Sequence, residues 1–355
     1  MAADGGGVQS DFVNVWAAGR LVLQGSPAAA YDWPTHKAME VVAVGHPFDG
    51  YFGWHYPPVF LFIAAGLALA PYVPAYILWL AATSPAYLVT VLAIVGDRVG
   101  YLLAAAFPAV LSNFIVGQNG FLSAALLGGS LLFIERRPVL AGILLGLLSY
   151  KPHLGLLFPV VLAASGHWRV FFVAGITAAL MACASWLAFG ADTWIAFYGN
   201  IGHTSQAFLS DGWADFGKLQ TVFGLTRMLG GAEGLAWTLQ GSVALVCAVA
   251  ISLLWRSDAT YEIKAAALGC GAMLATPYLY LYDLVVLAVP LAFLFRLGRV
   301  RGFLPYEFIG VGIAALLVFI FPFVKAPVGI AAVLVVALLI ARRALMPHSA
   351  VPALA

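Results

Sequence analysis

Long stretches of this chain carry no charge, and that restricts what it can fold into. From Pro138 onward the apolar runs 170–189, 235–255, 265–276, 284–295, 308–324 and 328–340 follow one another. Crossing a hydrocarbon layer ~30 Å thick takes about 20 mostly apolar residues as a helix. Inside that layer every backbone N–H and C=O must find a partner within the protein, so only helices and closed barrels span it. These runs are rich in Leu, Ala, Val and Gly without the polar alternation of barrel strands. The expected fold is therefore all-α, a polytopic transmembrane helical bundle forming a single membrane domain over 1–355.

Composition agrees. Hydrophobic residues make up 63% of the 355 residues and Asp, Glu, Lys and Arg only 9%, with a mean hydropathy of +0.98. A net charge of +2 without basic runs gives no nucleic-acid signal. Cys183, Cys247 and Cys270 each sit inside an apolar run, so they predict packing residues and neither a disulfide framework nor a metal cluster. No 20–50-residue repeat is visible. Walker, strand-flanked GxGxxG, HExxH and GxSxG patterns are absent from the sequence. The opening Met1–Gly7 lacks the basic and apolar segments of a signal peptide.

Lysine and arginine collect on the cytoplasmic side of membrane proteins. Working back from the end, Arg342 and Arg343 are inside, Lys325 outside, and Arg296, Arg299 and Arg301 inside. The turn 276–283 is outside, Arg256, Asp258 and Lys264 are inside, and the long polar loop 190–234 is outside. His167 to Arg169 and Glu135 to Arg137 fall inside. Four further apolar runs, 58–70, 75–95, 101–116 and 121–134, precede these. Four crossings would put 10–57 inside, whereas three or five would put it outside; Pro71 to Pro74 reads as a kink or as a turn. About ten transmembrane or re-entrant helices are expected over 58–345.

Two runs, 139–150 and 154–165, are about 12 residues each, or ~18 Å of helix, and Lys151-Pro152-His153 divides them. Runs this short are more often re-entrant than spanning. A lysine at membrane depth is costly and faces a cavity or an anionic partner, which makes Lys151 a functional candidate.

The few polar residues gather elsewhere. Asp11, Tyr31, Asp32, His36, Asp49, His55 and Tyr56 crowd into 10–58. Residues 11–25 predict an amphipathic helix, with Phe12, Val15, Trp16, Gly19, Val22 and Leu23 on its apolar face. Asp11 at its start is either an N-cap or a reactive carboxylate. Asp32 reads as a turn cap or a ligand group, and His55-Tyr56 as an aromatic belt or part of a site. Gln118 and Asn119, between two glycines, either cap helices or bind sugar hydroxyls or phosphate. Tyr278, Tyr280, Tyr282 and Asp283 form an aromatic belt or a sugar platform.

Taken in order, these pieces resemble the membrane glycosyltransferases of family 87, a branch of the GT-C superfamily also labelled DUF2029. The matching residues are Asp11-Phe12, Ala17 to Arg20, Gly25, Tyr31-Asp32, Tyr56-Pro57-Pro58, Gly117-Gln118-Asn119, Ala141-Gly142 through Lys151-Pro152, and Pro277 through Asp283. The resemblance implies a multi-pass enzyme of the plasma (inner) membrane with an extracytoplasmic active site. Such enzymes pass a hexose, often mannose, from a polyprenyl phosphate sugar donor to a lipid or glycan acceptor hydroxyl. The essential aspartate of the first outer loop falls on Asp11, which would act as general base in an inverting displacement. The departing lipid phosphate is an anion, so Lys151 would stabilise it, with His55 or His153 assisting. Candidate substrate-binding residues are Arg20, Tyr31, Asp32, His55, Tyr56, Gln118, Asn119, Lys151, His153, Tyr280 and Asp283. A lipid-linked donor implies no cofactor and no metal. Family members carry a transmembrane helix ahead of the aspartate, and only ten residues precede Asp11 here, so the resemblance implies either a gene start placed too late or a fragment. The competing reading is a transporter or flippase of a lipid-linked or small polar solute, whose broken helices surround a midplane site.

Overall fold

The computed structural model describes residues 10–50, 52–213, 215–324 and 326–346; the readings made for Met1–Gly7 and Lys325 lie outside them. The fold is all-helical, with 79% of the chain in helix and no strand among the described residues. Prolines and glycines set where its helices stop.

The chain opens with α1 (Phe12–Leu23), a 3-10 turn at Pro27–Tyr31, and α2 (Trp33–Val44), which Gly45 closes at φ 91°. The short α3 (Leu61–Leu67) ends before Pro71, and α4 (Tyr72–Val95) then runs 24 residues. Pro71 thus marks a turn between two helices. α5 (Val99–Ala106) and α6 (Ala109–Val116) form one path bent by 63° at Pro108. α7 (Gly120–Phe133), α8 (Pro138–Leu147) and α9 (Phe158–Ala164) follow, the last two separated by 3-10 turns on either side of Lys151. α10 (Trp168–Phe189), α11 (Ala191–Ser205), α12 (Val222–Met228), α13 (Glu233–Arg256) and α14 (Tyr261–Ala275) lead to α15 (Ala288–Arg301), α16 (Glu307–Val324) and α17 (Val328–Leu345). By length and composition six helices can cross a membrane, or seven with the bent pair.

Contacts tie turns together at each of two ends of the bundle. Ser10 Oγ lies 3.1 Å from Tyr72 Oη at the start of α4, and Gln220 joins 216–221 to the turn before α15 and to the start of α17. At the far end, Arg299 pairs with Asp97 after α4, Arg296 with Glu262 and His167 with Glu135. Between Asp11 and Arg136, α4 and the bent α5–α6 path are long and apolar enough to cross a membrane; Pro58–Leu67 and α7 are shorter apolar helices. Residues of 11–57, 197–218 and 278–283 line one cavity, so these segments share an end of the bundle.

Two regions differ from the sequence expectation. The stretch 190–234 is not a loop: α11, a π-helical turn at Gln206–Ser210, and α12 fill most of it. Its polar helix is held by tertiary bonds, with Asn200 Nδ2 donating to Trp54 O (3.2 Å) and Trp33 Nε1 donating to Asn200 Oδ1 (2.9 Å). Helix α1 is buried nearly all round. Phe12, Val15, Trp16 and Gly19 of the expected apolar face are buried, but so are Val13, Asn14, Ala17, Ala18 and Leu21, while Leu23 is exposed. Small residues permit this: a Cβ on Gly19 would stand 2.0 Å from the carbonyl oxygen of Ala64 in α3.

Candidate active site

A cavity of about 1310 Å³ opens at the end of the bundle that holds α1. Asp11 lies at its wall, at the head of α1, and its carboxylate makes no capping hydrogen bond. Gln118 Nε2 donates to Asp11 Oδ2 instead, at 3.4 Å. A carboxylate at a helix N-terminus normally satisfies one of the helix's orphan N–H groups; this one faces the cavity. Burial pushes its pKa up to about 6, with the Gln118 hydrogen bond and the Lys218 ammonium pulling the other way and Asp283 adding to the rise.

Gln118 is reachable because the chain breaks at Gly117, which sits at φ 66° after α6. A Cβ there would come within 2.4 Å of the Tyr76 ring and 2.9 Å of Phe12 Cβ, so both the backbone angle and the packing require glycine. Tyr56 Oη donates to Gln118 Oε1 at 3.0 Å, fixing the amide's orientation toward Asp11. The next amide, Asn119, accepts from Lys151 Nζ through Oδ1 at 2.8 Å. Lys151 Nζ also pairs with Asp283, whose other oxygen accepts the Tyr280 backbone N–H at 3.2 Å. A continuous polar relay therefore runs from Tyr56 and Asp11 through Gln118 and Asn119 to Lys151 and Asp283.

Lys151 is buried in the bundle and paired with an anionic partner, Asp283. The cavity cation with no ion pair or hydrogen bond among the described residues is Lys218, on the 3-10 turn Phe216–Lys218. That turn is anchored by Asp215, which holds φ 65° while its Oδ1 accepts the Gly217 N–H at 2.9 Å. Lys218 is not among the candidate site residues read from the sequence.

Of the remaining expected site residues, His55, Tyr56, His153, Tyr280 and Asp283 line the cavity. His55 Nδ1 lies 3.1 Å from Thr204 Oγ1, and burial lowers its pKa to about 4, leaving the ring neutral. His153 Nε2 is buried without a hydrogen-bond partner among the described residues, and the Tyr280 ring packs edge-on against Tyr278, with centroids 5.0 Å apart. Asn119 stands behind the lining as the bridge to Lys151. Tyr31 also stands behind it, donating to the Tyr56 carbonyl at 2.9 Å. Two residues are not brought to the cavity. Asp32 is the exposed N-cap of α2, accepting from the Thr35 N–H (3.1 Å) and hydroxyl, which holds its pKa below the usual carboxylate value. Arg20 lies over the Trp16 ring, 5.5 Å from its centroid.

The sequence also gave no sign of Asn14, one turn after Asp11 in the lining, or of Glu40. Glu40 is fully enclosed; its Oε1 accepts the Phe52 N–H at 3.1 Å and fixes the segment that carries His55 and Tyr56. Burial raises its pKa to about 8 despite Lys37 nearby at 3.6 Å. Ser112 and Val116 of α6 and Phe321 and Pro322 of α16 also line the cavity. Among the described residues no group of three or more His, Cys, Asp or Glu is placed to hold a metal ion.

Comparison with known proteins gives one family match: the model of glycosyltransferase family 87 matches residues 54–277. No curated protein matches the chain. No solved structure matches it either.

Proposed function

The chain belongs to glycosyltransferase family 87, and from that premise we propose that it moves a hexose, with mannose the expected sugar, from a polyprenyl phosphate donor to a hydroxyl of a lipid or glycan acceptor. The observation that carries this reading is Asp11, a cavity-facing carboxylate with no capping role and a pKa near 6. A base poised near the working pH combines a usable ionised fraction with useful proton affinity.

In this reading the acceptor hydroxyl gives its proton to Asp11 as its oxygen attacks the anomeric carbon. The bond from that carbon to the phosphate oxygen breaks on the opposite face, and polyprenyl phosphate leaves with the electron pair. One displacement inverts the anomeric centre, and no covalent sugar–enzyme bond forms. Lys218 supplies the positive charge for the departing phosphate, because Lys151 is occupied by Asp283. The Tyr56–Gln118–Asn119–Lys151–Asp283 relay positions Asp11 and the cavity floor. The lining contributed by Ser112, Val116, Phe321 and Pro322 is suited to an isoprenoid chain.

Placement at the outer face of the plasma membrane is supported by charge. The far end of the bundle carries Arg98, Arg136, Arg137, Arg169, Arg256, Lys264, Arg296, Arg299, Arg301, Arg342 and Arg343, against Asp97, Glu135, Asp258, Glu262 and Glu307. The cavity end has an acidic balance, with Asp11, Asp32, Glu40, Asp49, Asp192, Asp211, Asp215, Glu233 and Asp283 against Arg20, Lys37, Lys151, Lys218 and Arg227. Positive-inside placement then turns the cavity outward. Polar groups concentrated at one end favour transfer chemistry at a membrane face over a transport path.

The test is purified protein in liposomes with polyprenyl phosphate carrying a radiolabelled mannose and a membrane-extract acceptor pool. Labelled product and free polyprenyl phosphate are expected together, with Asp11→Asn lowering the rate by about 10²–10⁴-fold. Transfer at the wild-type rate by Asp11→Asn would overturn the base assignment. Intact donor after incubation with active protein would overturn the donor class.

A further inference from the structure

A second recess, about 570 Å³, lies at the end of the bundle away from the active-site cavity. Its walls come from the last turns of α4 and α15, the end of α7 and the turn that follows. Leu132, Phe133 and Val300 give it apolar sides, while Arg136, Arg296 and Arg299 bring three guanidinium groups to one opening. Two are partly engaged. Arg299 pairs with Asp97 at 3.1 Å, and Arg296 lies 3.5 Å from Glu262 and donates to the Ile94 carbonyl at 3.4 Å. Arg136 is exposed and has no ion pair or hydrogen bond among the described residues. Asp97 is the one carboxylate in the lining, so the recess keeps a positive balance and spare N–H donors.

The neighbouring surface continues the pattern. On α4, Ala82, Pro85, Ala86, Val89 and Ala93 recur at three- and four-residue steps, and all are exposed. Such residues form one stripe of a helix, and Ala93 itself belongs to the recess lining. The stripe of mainly small side chains runs along the exposed side of α4 away from the recess. A charged pocket meeting a membrane-facing apolar track matches the two parts of a phospholipid.

We propose that this recess binds the phosphate headgroup of an anionic phospholipid, with an acyl chain along the Ala82–Ala93 stripe of α4. The guanidinium groups recognise a phosphoanion, using the planar multiple donors that suit phosphate oxygens. A soluble phosphate would meet the same donors, but it would leave the stripe unused. This site is separate from the sugar-transfer cavity, and its test needs no activity measurement.

Native mass spectrometry of the purified protein in mixed micelles of phosphatidylglycerol and phosphatidylcholine reads the lipid retained. Phosphatidylglycerol adducts should exceed phosphatidylcholine adducts in the wild type. Arg136→Gln should lower the phosphatidylglycerol adducts by about fivefold, and Arg136→Gln with Arg299→Gln by more. Arg169→Gln, at the same end of the bundle and outside the recess, should leave them unchanged. Equal retention of the two lipids would overturn the proposal, as would an equal loss with Arg169→Gln. A second arm uses inorganic phosphate and thermal unfolding. Stabilisation of the wild type but not of the double variant, without any phosphatidylglycerol preference, would assign the recess to a soluble phosphoanion and overturn the lipid assignment.

Discussion

Lys151 and Asp283 form an ion pair across 132 positions of sequence, with 4% and 1% of their side chains exposed. Removing one member strands the other charge in a poorly solvated place, which typically costs about 3–5 kcal/mol. Asp283→Asn should therefore lower the thermal midpoint sharply in detergent. The paired change Lys151→Met with Asp283→Leu should recover much of the loss, because it leaves no uncompensated charge. Additive destabilisation in the pair would show that the two residues act separately.

The pKa of Asp11, near 6, fixes a pH dependence with a definite sign. A general base must be ionised, so kcat/KM should be level above about pH 7 and fall about tenfold per unit below pH 6. Acid raises the neutral fraction, so the loss lies on the low-pH side. The residual activity of Asp11→Asn should lack this limb. A pH-rate profile of the reconstituted enzyme measures both.

Lys218→Gln separates two effects of one charge. Its ammonium holds down the pKa of Asp11, so its removal should move the acid limb upward, by less than about one unit because the lysine is exposed and screened. It should also weaken the hold on the donor phosphate, raising KM for the lipid sugar. A limb that stays in place with KM unchanged would remove Lys218 from the site.

How far the sequence revealed this site follows from which signals are local. Lys151 stood out because a lysine inside an apolar run needs a partner, and Gln118-Asn119 because two glycines isolate it. That Asp283 is the partner, or that Gln118 reaches Asp11 across 107 positions, lies beyond any periodicity, since only the folded bundle sets those distances. Lys218 is a single exposed lysine in a polar stretch and has no pattern to mark it. The helical bundle was legible from its apolar runs, but the number of passages was not. The run 58–70 is as apolar as its neighbours, and only the breaks at its two ends show that it falls short of crossing. Helix α11 was hidden for the opposite reason, because its polar sequence is held in place by Trp33 and Trp54.

Gly19→Ala tests whether the packing of α1 sets the position of Asp11. The added methyl would lie 2.0 Å from Ala64 O and 2.7 Å from Ala68 Cβ, with backbone as the nearest obstacle. Neither rotamer change nor side-chain adjustment in α3 relieves a contact with a carbonyl, so α1 must move away. Overpacking of this kind costs about 1–3 kcal/mol, and the shift should carry Asp11 away from Gln118. The expected result is folded protein with a lower thermal midpoint and transfer reduced by at least about tenfold, because misplacing a reacting group by 1 Å can cost ~10² in rate. Ala18→Gly, a neighbouring buried site on the same helix, controls for helix weakening. It loses helix propensity, about 1 kcal/mol, without pushing α1 off α3. Equal activity losses in the two variants would mean that helix stability, and not its approach to α3, governs the carboxylate's placement.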